Sequence, residues 1–295
     1  MIPWIAAHYA LIYTYHPRFD LIPVQQAWTL ATEIAFYAML PLYAAFMARR
    51  HGTPRTMLRH EFAGLATLFG LGLVSRTIVL FGIDHGGWRG FANLWLPARL
   101  DHFAFGMALA VASVWYREQS HEPAWARSRA FPWVSWGASI ATFWYLSVGL
   151  ALNHRFDRDG DGVPELVLGR PVDFSRAQEW WLLLLWGVVG VTAVAPAVFG
   201  RQDQGIIRAA LRWGPVAWLG VISYGIYLWH EAALDFYLRT WDRVAFGAPT
   251  NQTFFFMFVF TIPVAALSYY LVERPALALK NRPVGDWFRT APRTA

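Results

Sequence analysis

The chain has 295 residues, of which 56% are hydrophobic and only 15% charged, with 17 Trp, 22 Phe and 12 Tyr. Soluble domains carry about 25% charged residues, so this composition, with a mean hydropathy of +0.31, excludes an ordinary soluble domain and indicates an integral membrane protein in contact with the lipid bilayer. Cysteine is absent, which excludes a disulfide framework, a thiolate nucleophile and a cysteine metal site, and the net charge of +6 reads as membrane topology and anionic-lipid contact rather than nucleic-acid binding.

Apolar stretches of spanning length fall at about 2–15, 29–48, 62–82, 97–116, 133–152, 180–199, 213–234 and 252–272. The fold class they predict is all-α: one transmembrane helical bundle over 1–295 with about eight crossings. The segment at 62 carries Arg76 two-thirds of the way along, and the segment at 97 opens with Pro97, Arg99, Asp101 and His102. The loops 49–61, 117–132 and 200–212 and the tail after 272 each hold an arginine excess. The alternate loops near 16–28, 83–96, 153–179 and 235–251 are balanced or acidic. Every second loop being basic predicts that those loops, both termini and a tail over 273–295 are cytoplasmic.

That orientation gathers the ionisable residues of the apolar segments into the outer half of the membrane. Glu33, Arg76, Arg99, Asp101, His102, His230 and Glu231 all fall there. A charge in a spanning helix costs about 2.5–3.5 kcal/mol on insertion scales unless paired or watered. The collection therefore reads either as an ion-pair network that fixes helix register or as a polar site opening outward. Two arginines, Arg76 and Arg99, stand against two acids, Glu33 and Asp101.

The stretch Ser223-Tyr224-Gly225-Ile226-Tyr227-Leu228-Trp229-His230 adds a second polar feature. Ser223, Tyr227 and His230 are spaced i, i+4, i+7 and share one helix face. Such a stripe either hydrogen-bonds neighbouring helices or faces a substrate. An imidazole is the side chain best suited to general base work, so His230 is a candidate base or proton shuttle, and Ser223 and Tyr227 supply hydroxyls on its face. Trp28 sits where interfacial tryptophans anchor, with sugar stacking as the alternative.

Between the fifth and sixth segments, Asp157, Asp159 and Asp161 occupy positions 1, 3 and 5 of a calcium-loop pattern, with Gly162 at 6 and Glu165 at 9. Position 12, which should be a bidentate glutamate, is Leu168. The loop reads equally as a Ca2+ site and as a solvated acidic turn.

Four of these stretches carry a family resemblance. Trp28-Thr29-Leu30-Ala31-Thr32-Glu33-Ile34-Ala35-Phe36-Tyr37 resembles the W-[ST]-L-x-x-E-x-x-F-Y signature of the acyltransferase-3 family of membrane proteins. Arg99-Leu100-Asp101-His102-Phe103-Ala104-Phe105-Gly106 is similar to its R-x-D-x-F-x-x-G segment. Ser223–His230 is similar to its S-Y-x-x-Y-L-W-H helix, and Glu273-Arg274-Pro275 to the E-R-P that closes its last helix. The four occur in the family's order between residues 28 and 275.

The resemblance implies an O-acyltransferase of a bacterial inner (plasma) membrane. It moves an acyl group, usually acetyl from acetyl-CoA, from the cytoplasmic side to a hydroxyl of an extracytoplasmic glycan or lipid-linked sugar. It places Glu33, Arg99 and His230 in the catalytic site, with Asp101, Arg76, Ser223, Tyr227 and Trp28 binding substrate or supporting them. Family members carry a first helix with an arginine and, eleven positions later, a histidine central to catalysis. The Trp28 signature starts after a single short segment here, so the chain reads as lacking the family's first two helices, and His8 and His16 fall where the third would lie. A polytopic transporter or flippase with an outward polar site, and an inactive truncated acyltransferase, are the competing expectations.

Overall fold

The structure is a computed structural model that describes residues 11, 15, 28–83, 86–118, 123–149, 175–200, 205–240 and 250–280. The expected first span at 2–15 (Leu11 and Tyr15 apart), His8, His16, the 157–165 acidic loop and the tail beyond 280 lie outside those residues. Every element among the described residues is helical, as the composition and periodicity predict. Among the described residues four helices are long and apolar enough to cross a membrane: Trp28–Ala48, Pro54–Gly82, Arg176–Val198 and Phe255–Ala278.

The chain divides into two compact units, Met1–Arg208 and Ala209–Ala295. In the first, α1 (Trp28–Ala48) is followed by α2 (Pro54–Gly82) and the short α3 (Gly86–Ala92). A 3-10 turn (Leu96–Arg99) leads into α4 (Leu100–Glu118), and α5 (Ala124–Arg127), α6 (Ala130–Trp144) and α7 (Arg176–Val198) complete the set. The sequence placed the start of α2 near residue 62. It begins two turns earlier because Thr53 caps it, accepting from the Thr56 N–H, and Pro54 occupies the first turn, where its missing N–H costs nothing. Ser175 caps α7 in a capping box with Gln178, which sets that start at Arg176.

Helix α4 is the centre of this unit. It packs on α2 and on α7, and its Phe103 ring stacks on Phe36 of α1 with centroids 4.1 Å apart. Two glycines permit the close approaches. A Cβ on Gly72 of α2 would stand 2.5 Å from the backbone nitrogen of Asp101, and one on Gly187 of α7 would stand 2.7 Å from the His102 ring. Helix α6 is tied to α7 by side-chain donors on backbone carbonyls: Ser135 to Thr192, Trp136 to Ala193 and Ser139 to Val189. At the far end of α7, Arg208 donates to the carbonyls of Pro196 and Phe199, satisfying acceptors a helix C-terminus leaves open.

Gly72→Ala should therefore destabilise the fold by about 1–3 kcal/mol, because backbone cannot yield as a flexible side chain can. Gly70→Ala, where the added Cβ meets nothing within 4 Å, is the matched control. Thermal unfolding in detergent that fails to separate the two variants would refute the close approach.

The second unit holds α9 (Gly214–Val221) and α10 (Ser223–Thr240), with α8 (Ile206–Arg212) crossing the boundary between the units. It continues into α11 (Thr250–Ser268), a π turn (Tyr269–Glu273) and α12 (Arg274–Lys280). The single crossing expected at 213–234 is corrected here. The helix breaks at Ile222, whose ψ of 5° leaves the helical region, and the Ser223 hydroxyl donates to the Gly220 carbonyl at 2.8 Å. Helix α10 then runs to Thr240, ten residues past His230, so His230 is interior to its helix rather than closing it. The last apolar helix likewise passes its expected end at 272. The π turn accommodates Pro275, and helix continues to Lys280. Helices α10 and α11 form an antiparallel pair, with Gly225 against Ala265 at one end and Tyr237 against Phe256 at the other.

Candidate active site

The polar residues of the first unit meet where the C-terminal end of α2 faces the N-terminal ends of α1, α4 and α7. At its centre Arg76 and Asp101 are both fully buried. Arg76 Nη2 donates to Asp101 Oδ1 at 2.7 Å and Oδ2 at 2.8 Å, and to the Ala98 carbonyl at 3.3 Å. The 3-10 turn, started by Pro97, points that carbonyl at α2, and Gly72 one turn back on α2 lets the start of α4 come close. One nitrogen carries the whole interaction. Among the described residues, Nε and Nη1 of Arg76 are buried with no hydrogen-bond partner. Buried charged donors are costly to leave unmade, which makes Nε and Nη1 the uncommitted donors of this cluster among the described residues.

Arg99 lies beside this pair, two residues before Asp101. Its Nε donates to the Asn93 carbonyl at 2.8 Å, and its guanidinium stands 5.4 Å from the Trp28 ring centroid. That contact gives Trp28 a partner beyond interfacial anchoring, since an arginine over an indole is held by the ring quadrupole. Thr32, one turn along α1, donates to the Leu94 carbonyl at 2.8 Å and pins α1 to the same segment.

Two members of the cluster were not singled out from sequence. Asn93 donates from Nδ2 to Glu179 Oε1 at 3.1 Å, joining the Arg99 segment to the first turn of α7. The Asn93 Oδ1 is buried without a partner among the described residues. Glu179 sits 86 positions away, and a carboxylate in the first turn of an apolar helix was the one available signal. His102 donates from Nε2 to the Leu183 carbonyl at 2.7 Å, since a carbonyl can only accept, and so it locks α4 to α7.

Glu33 lies half-buried on α1 and makes no hydrogen bond or ion pair within the described residues. The acid that balances Arg76 is Asp101. In the second unit, Ser223, Tyr227 and His230 all belong to α10. The helix buries Gly225, Ala233 and Tyr237, whereas Ser223 and Tyr227 stay exposed and His230 is half-exposed. His230 Nδ1 donates to the Tyr227 carbonyl at 2.6 Å, and the two rings lie 5.7 Å apart. Among the described residues no cluster of histidine and carboxylate groups is arranged to hold a metal ion.

Residues 2–270 match the family model described as an acyltransferase domain, that of the acyltransferase-3 family. The chain belongs to this family. Three of the four signatures read from the sequence lie within the matched region, and Glu273-Arg274-Pro275 lies just beyond its end. A Bacillus subtilis (strain 168) protein named "Putative peptidoglycan O-acetyltransferase YrhL" is 35% identical to this chain over 87 residues. That stretch covers 30% of this chain and 13% of the relative's own length. No solved structure matches the acyltransferase-3 chain described here.

Proposed function

We propose that this acyltransferase carries an acetyl group from cytoplasmic acetyl-CoA to a hydroxyl of an extracytoplasmic glycan, in a bacterial inner membrane with both termini cytoplasmic. The observation that carries the reading is the buried Arg76, held by Asp101 through one nitrogen with its remaining N–H groups uncommitted. Acyl transfer breaks the thioester C–S bond and forms an ester C–O bond through a carbon that bears an oxyanion. Donors fixed in a low-dielectric site stabilise that oxyanion without reorganising. Arg76 and Arg99 are such donors, and Trp28 and Asn93 hold Arg99 in place.

The acceptor hydroxyl must lose its proton as it attacks, and the thiolate must gain one as it leaves. His230 is the candidate base: with Nδ1 donating to a backbone carbonyl, its Nε2 carries the lone pair. Ser223 and Tyr227 present hydroxyls on the same helix. Glu33, half-buried and unpaired within the described residues, is the remaining carboxylate available to polarise a substrate hydroxyl. A glycan acceptor accords with the name of the Bacillus subtilis relative.

Membrane vesicles from a host that lacks O-acetylated glycans, expressing the full chain, test this. Inverted vesicles given labelled acetyl-CoA should place base-labile label on lumenal glycan, and right-side-out vesicles should not. Arg99→Ala should lower the label by about tenfold or more, as loss of an oxyanion donor does. Label incorporated only by right-side-out vesicles would reverse the orientation. Glycan moved across the membrane without esterification would replace acyl transfer by transport.

A further inference from the structure

Helices α1 and α2 also enclose a cleft of about 430 Å³ at the opposite end of α2 from Arg76. Its walls are apolar, with Phe46 and Met47 from α1 and Leu68 and Ala63 from α2. Four polar side chains stand in its lining, Tyr43, Thr67, Arg50 and His60, and the last two supply its basic groups. Arg50 follows the end of α1 with its guanidinium 4.9 Å from the Phe46 ring centroid, and His60 has its Nδ1 buried with no partner among the described residues. The nearby carboxylate, Glu61, already accepts from the Tyr43 hydroxyl at 3.2 Å. Arg49, Arg55 and Arg59 belong to the same connection and its first turn, so the local charge is strongly positive.

An apolar slot with a guanidinium and an unpartnered imidazole in its lining suits one kind of molecule, a long acyl chain joined to an anionic phosphate. A free anion has no use for the apolar wall, and a neutral lipid none for the cations. The cleft lies where two membrane-length helices end in a basic turn, the level at which leaflet phosphates sit. We propose that it is a binding site for an anionic phospholipid of the surrounding leaflet. One acyl chain lies between α1 and α2, and the phosphate rests on Arg50 and His60.

Native mass spectrometry of the detergent-purified full chain, titrated with phosphatidylglycerol, phosphatidylcholine of the same chains and palmitoyl-CoA, tests the proposal. Phosphatidylglycerol should be retained over phosphatidylcholine, and Arg50→Gln should cut that preference roughly fivefold, one cation's contribution at a membrane surface. Ala63→Trp, which fills the slot from an exposed position on α2, should abolish retention with the melting temperature unchanged. Equal retention of the two phospholipids, or a preference that survives both substitutions, would overturn the site. Preferential retention of palmitoyl-CoA would overturn the phospholipid and give the cleft to a soluble acyl thioester.

Discussion

Asp101→Ala should cost the protein about 3–5 kcal/mol, because it strands the Arg76 guanidinium in a fully buried position. No other carboxylate contacts Arg76 among the described residues, and its three contacts all pass through Nη2, two of them to Asp101. Removing both charges is a different experiment. Arg76→Met with Asp101→Leu leaves no buried charge behind, and apolar replacement of a buried pair is commonly neutral or stabilising. The double variant should unfold near the wild-type temperature in detergent while the single Asp101→Ala variant unfolds well below it. It should nevertheless form ester about 10²–10³-fold more slowly, because one of the two proposed oxyanion donors has gone with the cost of burying it. If the single variant proved as stable as the double, the two groups would not be energetically coupled. Wild-type acetylation by the double variant would reduce the pair to a register device.

Which parts of this arrangement were legible follows from what hydropathy can see. Helices α1, α2 and α7 and the last apolar helix declared themselves as long apolar runs, and each is a membrane-length helix. Charges inside apolar segments were equally plain, which is why Arg76, Arg99 and Asp101 were singled out. Their pairing was not plain. Two arginines and two acids admit several partners, and the choice of Asp101 over Glu33 is made by Gly72, which lets the start of α4 approach α2. The break at Ile222 was hidden for another reason: both flanks are apolar, so hydropathy runs across a backbone bend without registering it. Gly220, Ser223 and Gly225 around it are the weak helix formers that mark the place in hindsight. Asn93 and Glu179 went unnoticed because their meeting depends on α7 returning beside α3, a tertiary fact with no local signature.

Replacing His230 by alanine should remove the base and lower ester formation by about 10²–10⁴-fold, the usual contribution of a positioned proton acceptor. The argument rests on the ring's own hydrogen bond. The Tyr227 carbonyl can only accept, so Nδ1 carries the proton and Nε2 is the basic nitrogen. The half-exposed ring lies off the face that α10 buries through Gly225, Ala233 and Tyr237, so its loss should leave packing and melting temperature nearly unchanged. Tyr227→Phe separates two roles for the neighbouring tyrosine. It keeps the backbone carbonyl that fixes the tautomer and removes only the phenol, so a small loss would confine Tyr227 to supporting the acceptor, whereas a loss equal to that of His230→Ala would make its hydroxyl part of the proton path. His230→Gln distinguishes basicity from hydrogen bonding: its side chain can still donate and accept but cannot take a proton near neutrality, and it should be as inactive as alanine. Full acetylation by His230→Ala in vesicles holding equal amounts of protein would sink the assignment and return the Ser223–His230 stripe to contacts between helices.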